Sequence, residues 1–339
     1  MPANETVPPL DPPPPWLGRH IAALAAAHRA GRLPAALLIH EAPGAGGDWL
    51  ARRAAQLALC ADDMAAPCGS CTACRRVAAF QHPDLMWVSP AEDSRQIRIE
   101  QVRDLAAELA LTSHGGGYKV GVITPADTLN RFAANALLKT LEEPPSRTLL
   151  MLVASQPSRL PPTVLSRCQR LRVSPPARGE ALSWLAAVRG AGDWNAVLDV
   201  LGEAPMLAAQ ADPAEVAEIS TDTRRTLEAL ADAGTDPVAA AEHWARSQLP
   251  LRLMCFENWL TERIRRGERA GAFITELRAA PYLPGRGAFL NIRELYGLLD
   301  EVRELRAILD LPLNRSLALE ALFRRLAPAE QSRSGVRHG

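Results

Sequence analysis

From about residue 16 to residue 175 the chain alternates short apolar runs with stretches of helical periodicity, and no other feature narrows the choice of fold so far. The apolar runs at residues 36–40, 85–89, 119–124, 148–154 and 169–173 have the length and composition of strands. Residues 21–29, 49–59, 99–110 and 129–141 carry apolar side chains at helical spacing. Parallel neighbours need a crossover, and crossovers of one hand place helices on both faces of the sheet. The pattern therefore predicts an α/β domain with a parallel sheet.

Beyond Pro176 the strand signals stop, and Ala, Leu, Arg and Glu recur at helical spacing. A proline and glycine pause at residues 202–213 separates a short helical unit from a longer one. The predicted organisation is a proline-rich arm (1–15), an α/β domain (16–175), a small helical unit (176–212), a longer helical domain (213–329) and a disordered tail (330–339). A chain of 339 residues exceeds what one hydrophobic core usually supports, which agrees with several domains. In the longer unit, Leu251, Met254, Cys255 and Trp259 form one expected core stripe, and Leu295, Leu298, Leu299, Val302 and Leu305 form another.

Four of the six cysteines, Cys60, Cys68, Cys71 and Cys74, fall in the α/β region within fifteen positions. The spacing C-x7-C-x2-C-x2-C lets four thiolates converge tetrahedrally on one Zn²⁺, with Gly69 and Ser70 in the tight turn. Four thiolates leave no open coordination position, so such a metal would be structural. A disulfide pair, a redox C-x-x-C and unrelated buried cysteines are the competing readings, and a redox pair has no use for two flanking cysteines.

After the first strand comes HEAPGAGGDWLARR, which has the position and glycine content of a phosphate loop, with Gly44, Gly46 and Gly47 preceding Asp48. A working loop, G-x-x-x-x-G-K-[ST], needs Lys for the β/γ-phosphates and a hydroxyl for Mg²⁺. Aligned on Gly46, those two positions hold Gly47 and Asp48, and Glu41 stands at the first glycine position. The strand at 119–124 should end in an acidic pair able to hold Mg²⁺, yet Thr124 and Pro125 stand there. Asp127 is expected to cap the helix that begins near Leu129. Hydrolysis of ATP by this chain is therefore not expected.

Residues 135–171 read NALLKTLEEPPSRTLLMLVASQPSRLPPTVLSRCQRL. The succession of helix, Glu142-Glu143-Pro144-Pro145, strand, Leu160-Pro161-Pro162-Thr163 and Ser166-Arg167-Cys168 resembles the AAA+ clamp-loader ATPases. With the four-cysteine insert and the altered phosphate loop, it is similar to the delta prime family of bacterial DNA polymerase III subunits. The specific motifs span about residues 16–173, and the remainder agrees in order and size, with a helical lid followed by a helical collar.

The resemblance implies a subunit of the clamp loader within the DNA polymerase III holoenzyme. Its partners would be delta and ATP-binding gamma or tau subunits and, through the assembled complex, the sliding clamp and primed DNA. It also implies that Arg167, between Ser166 and Cys168, enters a neighbouring subunit's ATP site as an arginine finger. Taken alone, Arg167 reads more readily as a surface arginine paired with a local carboxylate, and its motif context reverses that preference. Cys168 reads as a small buried apolar residue, and Glu142 with Glu143 as the solvated end of a helix stopped by prolines.

Two other classes of function stand beside this one. An active gamma/tau-type ATPase would need the loop Lys and the acidic strand end. An autonomous zinc-containing DNA-binding protein would need a cationic chain, but Lys plus Arg equal Asp plus Glu at 38 each. The N-terminal residues lack the basic and apolar regions of a secretory signal, and the apolar runs are too short to cross a bilayer. A cytoplasmic location away from membranes is expected.

Overall fold

The computed structural model describes residues 12–62, 64–91, 94–232, 234–274, 292–309 and 313–327. The expected tail at 330–339, and all of the expected proline arm except residues 12–15, lie outside them. Described residues fall into two compact units, the first drawn from residues 1–191 and 203–209, the second from 192–202 and 210–339.

The first unit is built on one parallel sheet of β1 (Ala36–Glu41), β2 (Leu85–Val88), β3 (Lys119–Ile123), β4 (Thr148–Ala154) and β5 (Gln169–Val173), in the order β2-β3-β4-β1-β5. Each strand lies within one residue of its predicted span. β1 sits between β4 and β5, with Ile39 beside Val153 on one side and Leu171 on the other. β3 and β4 are buried along their whole length, which is why they read as continuous apolar runs without alternation. β5 is an edge strand, and it exposes Gln169, Arg170 and Arg172.

Helices of this region are α1 (Gly18–Arg29), α2 (Gly47–Leu59), α3 (Thr72–Ala78), α4 (Ile99–Ala110), α5 (Arg131–Ala136), α6 (Leu138–Glu142) and α7 (Pro162–Leu165). One face of the sheet, with Leu38, Ile123, Leu150 and Leu152, packs with Val102 and Leu105 of α4 and with Ala133 and Ala134 of α5. Strand alternation turns Leu37, Ile39, Met151 and Val153, all buried, to the other face, and α2 lies against β1, β3 and β4. The helix expected over residues 129–141 is two helices. Between them the Leu137 N–H bonds to the Ala134 carbonyl, three residues back, which interrupts the α-helical ladder.

Residues 176–212 contain α8 (Arg178–Arg189), α9 (Trp194–Leu201) and α10 (Pro205–Ala208), of which α9 belongs to the second unit and the other two to the first. The second unit continues with α11 (Pro213–Ala231), α12 (Pro237–Arg246), α13 (Leu249–Ile274), α14 (Ile292–Ala307) and α15 (Arg315–Leu326). Asp212 and Asp236 cap α11 and α12 by accepting backbone N–H bonds, each followed by proline at the first helical position. The core centres on Trp244, which meets Phe323 edge to face at 4.9 Å between ring centroids. Along α14 the predicted stripe is buried throughout. On α13, Cys255 and Trp259 are buried but Leu251 and Met254 only partly, while Leu253, Phe256 and Leu260 are the fully enclosed residues. α13 packs against α9, α11, α12 and α14 at once, so its buried surface is wider than one stripe.

Gly121 marks the tightest helix-to-sheet approach on the α4 face. A Cβ there would lie 2.9 Å from Leu105 Cδ1 and 3.3 Å from Leu109 and Leu150 Cδ1. Gly121→Val is expected to destabilise the chain by about 1–3 kcal/mol through overpacking. Urea unfolding of both proteins measures this, and an unchanged midpoint would show that α4 moves aside freely.

Candidate functional site

Parallel α/β sheets hold ligands outside the carboxyl ends of their strands, where strand order reverses. The loop from Ala42 to Gly46, between β1 and α2, stands at that end. Gly46 takes a φ of 106°, which turns successive backbone N–H groups toward one point. Such a cradle at a helix N-terminus is an anion site. Here the acceptor is the chain's own carboxyl: Glu41 Oε2 accepts from Gly46 N at 3.0 Å and from Gly47 N at 2.5 Å. Glu41, expected at the first glycine position of the loop, has its side chain seated inside it. Gly47 is required there, since a Cβ would come 2.6 Å from Glu41 Cδ and 2.8 Å from Val153 Cγ1.

The outer side of the loop is covered as well. Trp16 Nε1 donates to Ala45 O at 2.8 Å, and Met206 N donates to Gly44 O at 3.0 Å. A Cβ on Gly44 would lie 2.6 Å from Ala204 Cβ, and one on Gly46 would lie 2.8 Å from Leu17 Cδ1. These coverings come from segments far away in sequence, and no local motif announces them.

At the position where a phosphate loop presents a hydroxyl, Asp48 accepts a 2.6 Å hydrogen bond from Thr124 Oγ1 at the end of β3. Carboxylate and hydroxyl are thus exchanged relative to a Mg²⁺ site, and they bond directly to each other. Removal from water pushes the Glu41 carboxyl up to about 7 against the pull of the Gly47 N–H, and the nearby Asp48 and Asp127 charges push it the same way. Asp127 does not cap the following helix. It accepts from Gln156 N at 3.0 Å and Ser155 Oγ at 3.2 Å, beyond the end of β4, and Asn130 supplies the cap by accepting from Ala133 N at 2.8 Å. Asn130 begins its helix three residues later, beyond the three-residue turn at Ala126–Thr128.

Cys60, Cys68, Cys71 and Cys74 meet where α2 ends and α3 begins, with their sulfur atoms all within 4.8 Å of one another. Cys60 and Cys71 Sγ are 3.9 Å apart, and Cys68 and Cys74 Sγ are 4.0 Å apart. Zn–S bonds of about 2.3 Å in a tetrahedron set sulfurs about 3.8 Å apart, whereas a disulfide needs about 2.05 Å. The four could hold a metal ion, and Zn²⁺ suits an all-sulfur set. Backbone N–H groups of Cys71 and Ser70, with the Ser70 hydroxyl, draw the Cys68 thiol down to about 6. Gly69 adopts the left-handed φ of 76° that the turn requires. Buried Gln56 of α2 donates to Cys74 O at 2.9 Å and accepts from Arg53 at 2.8 Å, which ties the helix to the cysteine loop.

Arg167 lies just past α7, with its side chain 35% exposed. Its Nη2 pairs with Glu142 Oε1 at 2.8 Å, and its Nη1 donates to Thr163 O at 3.0 Å and to Ser166 Oγ at 3.3 Å. Glu142, expected at the solvated end of a helix, links to Arg167 across 25 residues that carry no pairing signal. Cys168 is buried with the α4-side core, far from the four clustered cysteines in sequence and outside their set.

A five-stranded parallel sheet in this order, with a glycine loop after β1 and the Pro144 to Cys168 succession, defines an AAA+ domain. A family model described as DNA polymerase III, delta subunit, matches residues 17–177. The DNA polymerase III subunit delta' of Pseudomonas aeruginosa is 33% identical over 85% of this chain and 90% of its own length. That of Escherichia coli K12 is 30% identical over 92% and 94%. The Escherichia coli tau subunit is 36% identical over 44% of this chain and 23% of its own length. The chain belongs to the DNA polymerase III delta prime family of clamp-loader subunits. Among the described residues, no helix is long and apolar enough to cross a membrane.

Two outcomes are expected. Cys71→Ser should lower the zinc bound per chain, measured by atomic absorption, and lower the melting temperature; full zinc at parental stability would exclude the four-sulfur site. Glu41 binds its proton up to about pH 7 in the folded chain but releases it near 4.5 when unfolded, so its contribution to stability is full below about 4.5 and declines as pH rises to 7. Glu41→Gln keeps an acceptor for both N–H groups and should flatten that decline in a series of melting temperatures against pH.

Proposed function

We propose that this chain is a clamp-loader subunit that does not hydrolyse ATP itself and that acts on a neighbouring subunit's ATP through Arg167. The observation that carries the reading is the Glu41 carboxylate seated in the N–H cradle that a nucleotide's phosphates would need. With Asp48 bonded to Thr124, the place for Mg²⁺ is also taken by the chain's own groups.

Arg167 remains near the surface, with Glu142 as its one carboxylate partner among the described residues. In an assembled loader the γ-phosphate of a neighbour's ATP would replace Glu142, offering more negative charge to the same guanidinium. The partners on this reading are gamma/tau and delta subunits, and the loader acts on the sliding clamp and primed DNA in the cytoplasm. Zn²⁺ held by the four cysteines would fix the end of α2 to α3 and take no part in chemistry. Residues 176–212 would serve as the lid and residues 213–329 as the collar of the assembly.

The test is DNA- and clamp-stimulated ATP hydrolysis by loader reconstituted with wild-type chain or with Arg167→Ala, after equal assembly is established by gel filtration. A trans-acting arginine contributes on the order of 10³ to 10⁵ in rate at the site it serves. Hydrolysis at that site should fall accordingly, and an unchanged rate would return Arg167 to the role of a surface partner of Glu142.

A further inference from the structure

The first unit contains a cleft of about 1180 Å³ on which no role has yet been placed. One wall is the cysteine module, through Cys60, Ala61, Met64, Ala73 and Arg76. The others are the end of α1 at His28 and Arg29, the glycine loop 115–117, and the Pro144 to Arg147 turn. Its charge is one-sided. Arg29, Arg76 and Arg147 line it, and Asp84 is the single acid among the described lining residues.

Asp84 is buried and already satisfied. It accepts from His114 N at 3.0 Å, meets His114 Nδ1 at 3.2 Å, and lies 3.7 Å from Lys119 Nζ. Burial alone would raise its carboxyl, but the His114 hydrogen bonds and Lys119 hold it below the usual carboxylate range. Arg147 Nη1 donates to Gly116 O at 2.9 Å, which anchors the glycine loop. Arg29 and Arg76 are exposed and make no ion pair with any described residue. Burial holds the His82 imidazole below its ordinary value. Arg29, Arg76 and Arg147 give the cleft a cationic character that persists at all working pH values.

We propose that this cleft binds an acidic, partly apolar peptide segment of a partner protein, and that the cysteine module's role is to hold Arg76 and Met64 in its wall. Arginine forks suit carboxylates, and a cationic recess in a chain of zero net charge concentrates attraction at one place. Met64, 84% exposed, offers an adaptable apolar contact beside the cations, as do Leu33 and Pro145. Extended backbone can approach the glycine loop closely, because the space where side chains would project from Gly115, Gly116 and Gly117 is open. Single-stranded nucleic acid fits less well. Base stacking needs aromatic platforms, and the one large aromatic ring among the described lining residues, Tyr118, is packed against His28 at 5.7 Å.

The experiment is fluorescence anisotropy with the full chain and a fluorescein-labelled peptide of six Asp and Glu residues flanking two leucines. Oligo(dT) of equal charge serves as competitor. The expected result is saturable binding that weakens at least tenfold in Arg29→Glu/Arg76→Glu and is not displaced by equimolar oligo(dT). If the charge-reversed variant melts early or loses zinc, Arg29→Ala/Arg76→Ala carries the comparison, with the same tenfold criterion. No binding by the wild type, equal binding by the folded variant, or displacement by oligo(dT) would each overturn the proposal.

Discussion

Two backbone N–H groups at the start of α2 face the interior end of the sheet, and the structure of the first unit is arranged around giving them an acceptor. Unpaired, they would be buried donors without partners, at a cost of about 1–3 kcal/mol each. Glu41 supplies the acceptor from the last residue of β1, so strand and helix are joined through one carboxylate as well as through the chain. Trp16, Leu17, Ala204 and Met206 then close over the loop. A site normally left open for a ligand has become a packed junction, and under the proposed function that is what leaves this subunit dependent on its neighbours' nucleotide.

The cysteine module extends the same helix in the other direction. α2 begins at the carboxylate-filled loop and ends at Cys60, so its two termini are fixed by different chemistry, backbone N–H to carboxylate at one end and clustered sulfur at the other. Gln56 and Arg53 lie between and brace the cysteine loop from the helix side. A metal at the four sulfurs would therefore stiffen an element that also forms the floor of the altered loop.

Much of this was legible in the sequence, and the parts that were not share a cause. The strands were placed within a residue because apolar runs bounded by Gly, Pro and polar residues are local signals. The sulfur cluster was visible in its spacing for the same reason. What escaped depends on contacts between distant segments: Glu142 with Arg167, Asp48 with Thr124, and Met206 over Gly44. Asp127 reads as a cap because Asp is a good cap wherever a helix starts, and only the fold shows that Asn130 stands at the actual start. The helix break at Leu137 has no Gly or Pro to announce it, and the stripe on α13 was drawn too narrow because that helix is packed on several sides.

The fit of Gly47 against Glu41 and Val153 also bears on whether such a loop could be turned back into a working one. A lysine at position 47 would drive its Cβ into the Glu41 carboxyl and the Val153 methyl, so Glu41 must leave first. Loss of Glu41 alone strands the Gly46 and Gly47 donors, and replacing Asp48 alone leaves the Thr124 hydroxyl without its acceptor. Under the proposed function, these contacts tie positions 41, 47, 48 and 124 together, so a change at one of them is felt at its partner. A loop interlocked in this way is restored to phosphate binding by concerted replacement, not by one residue at a time.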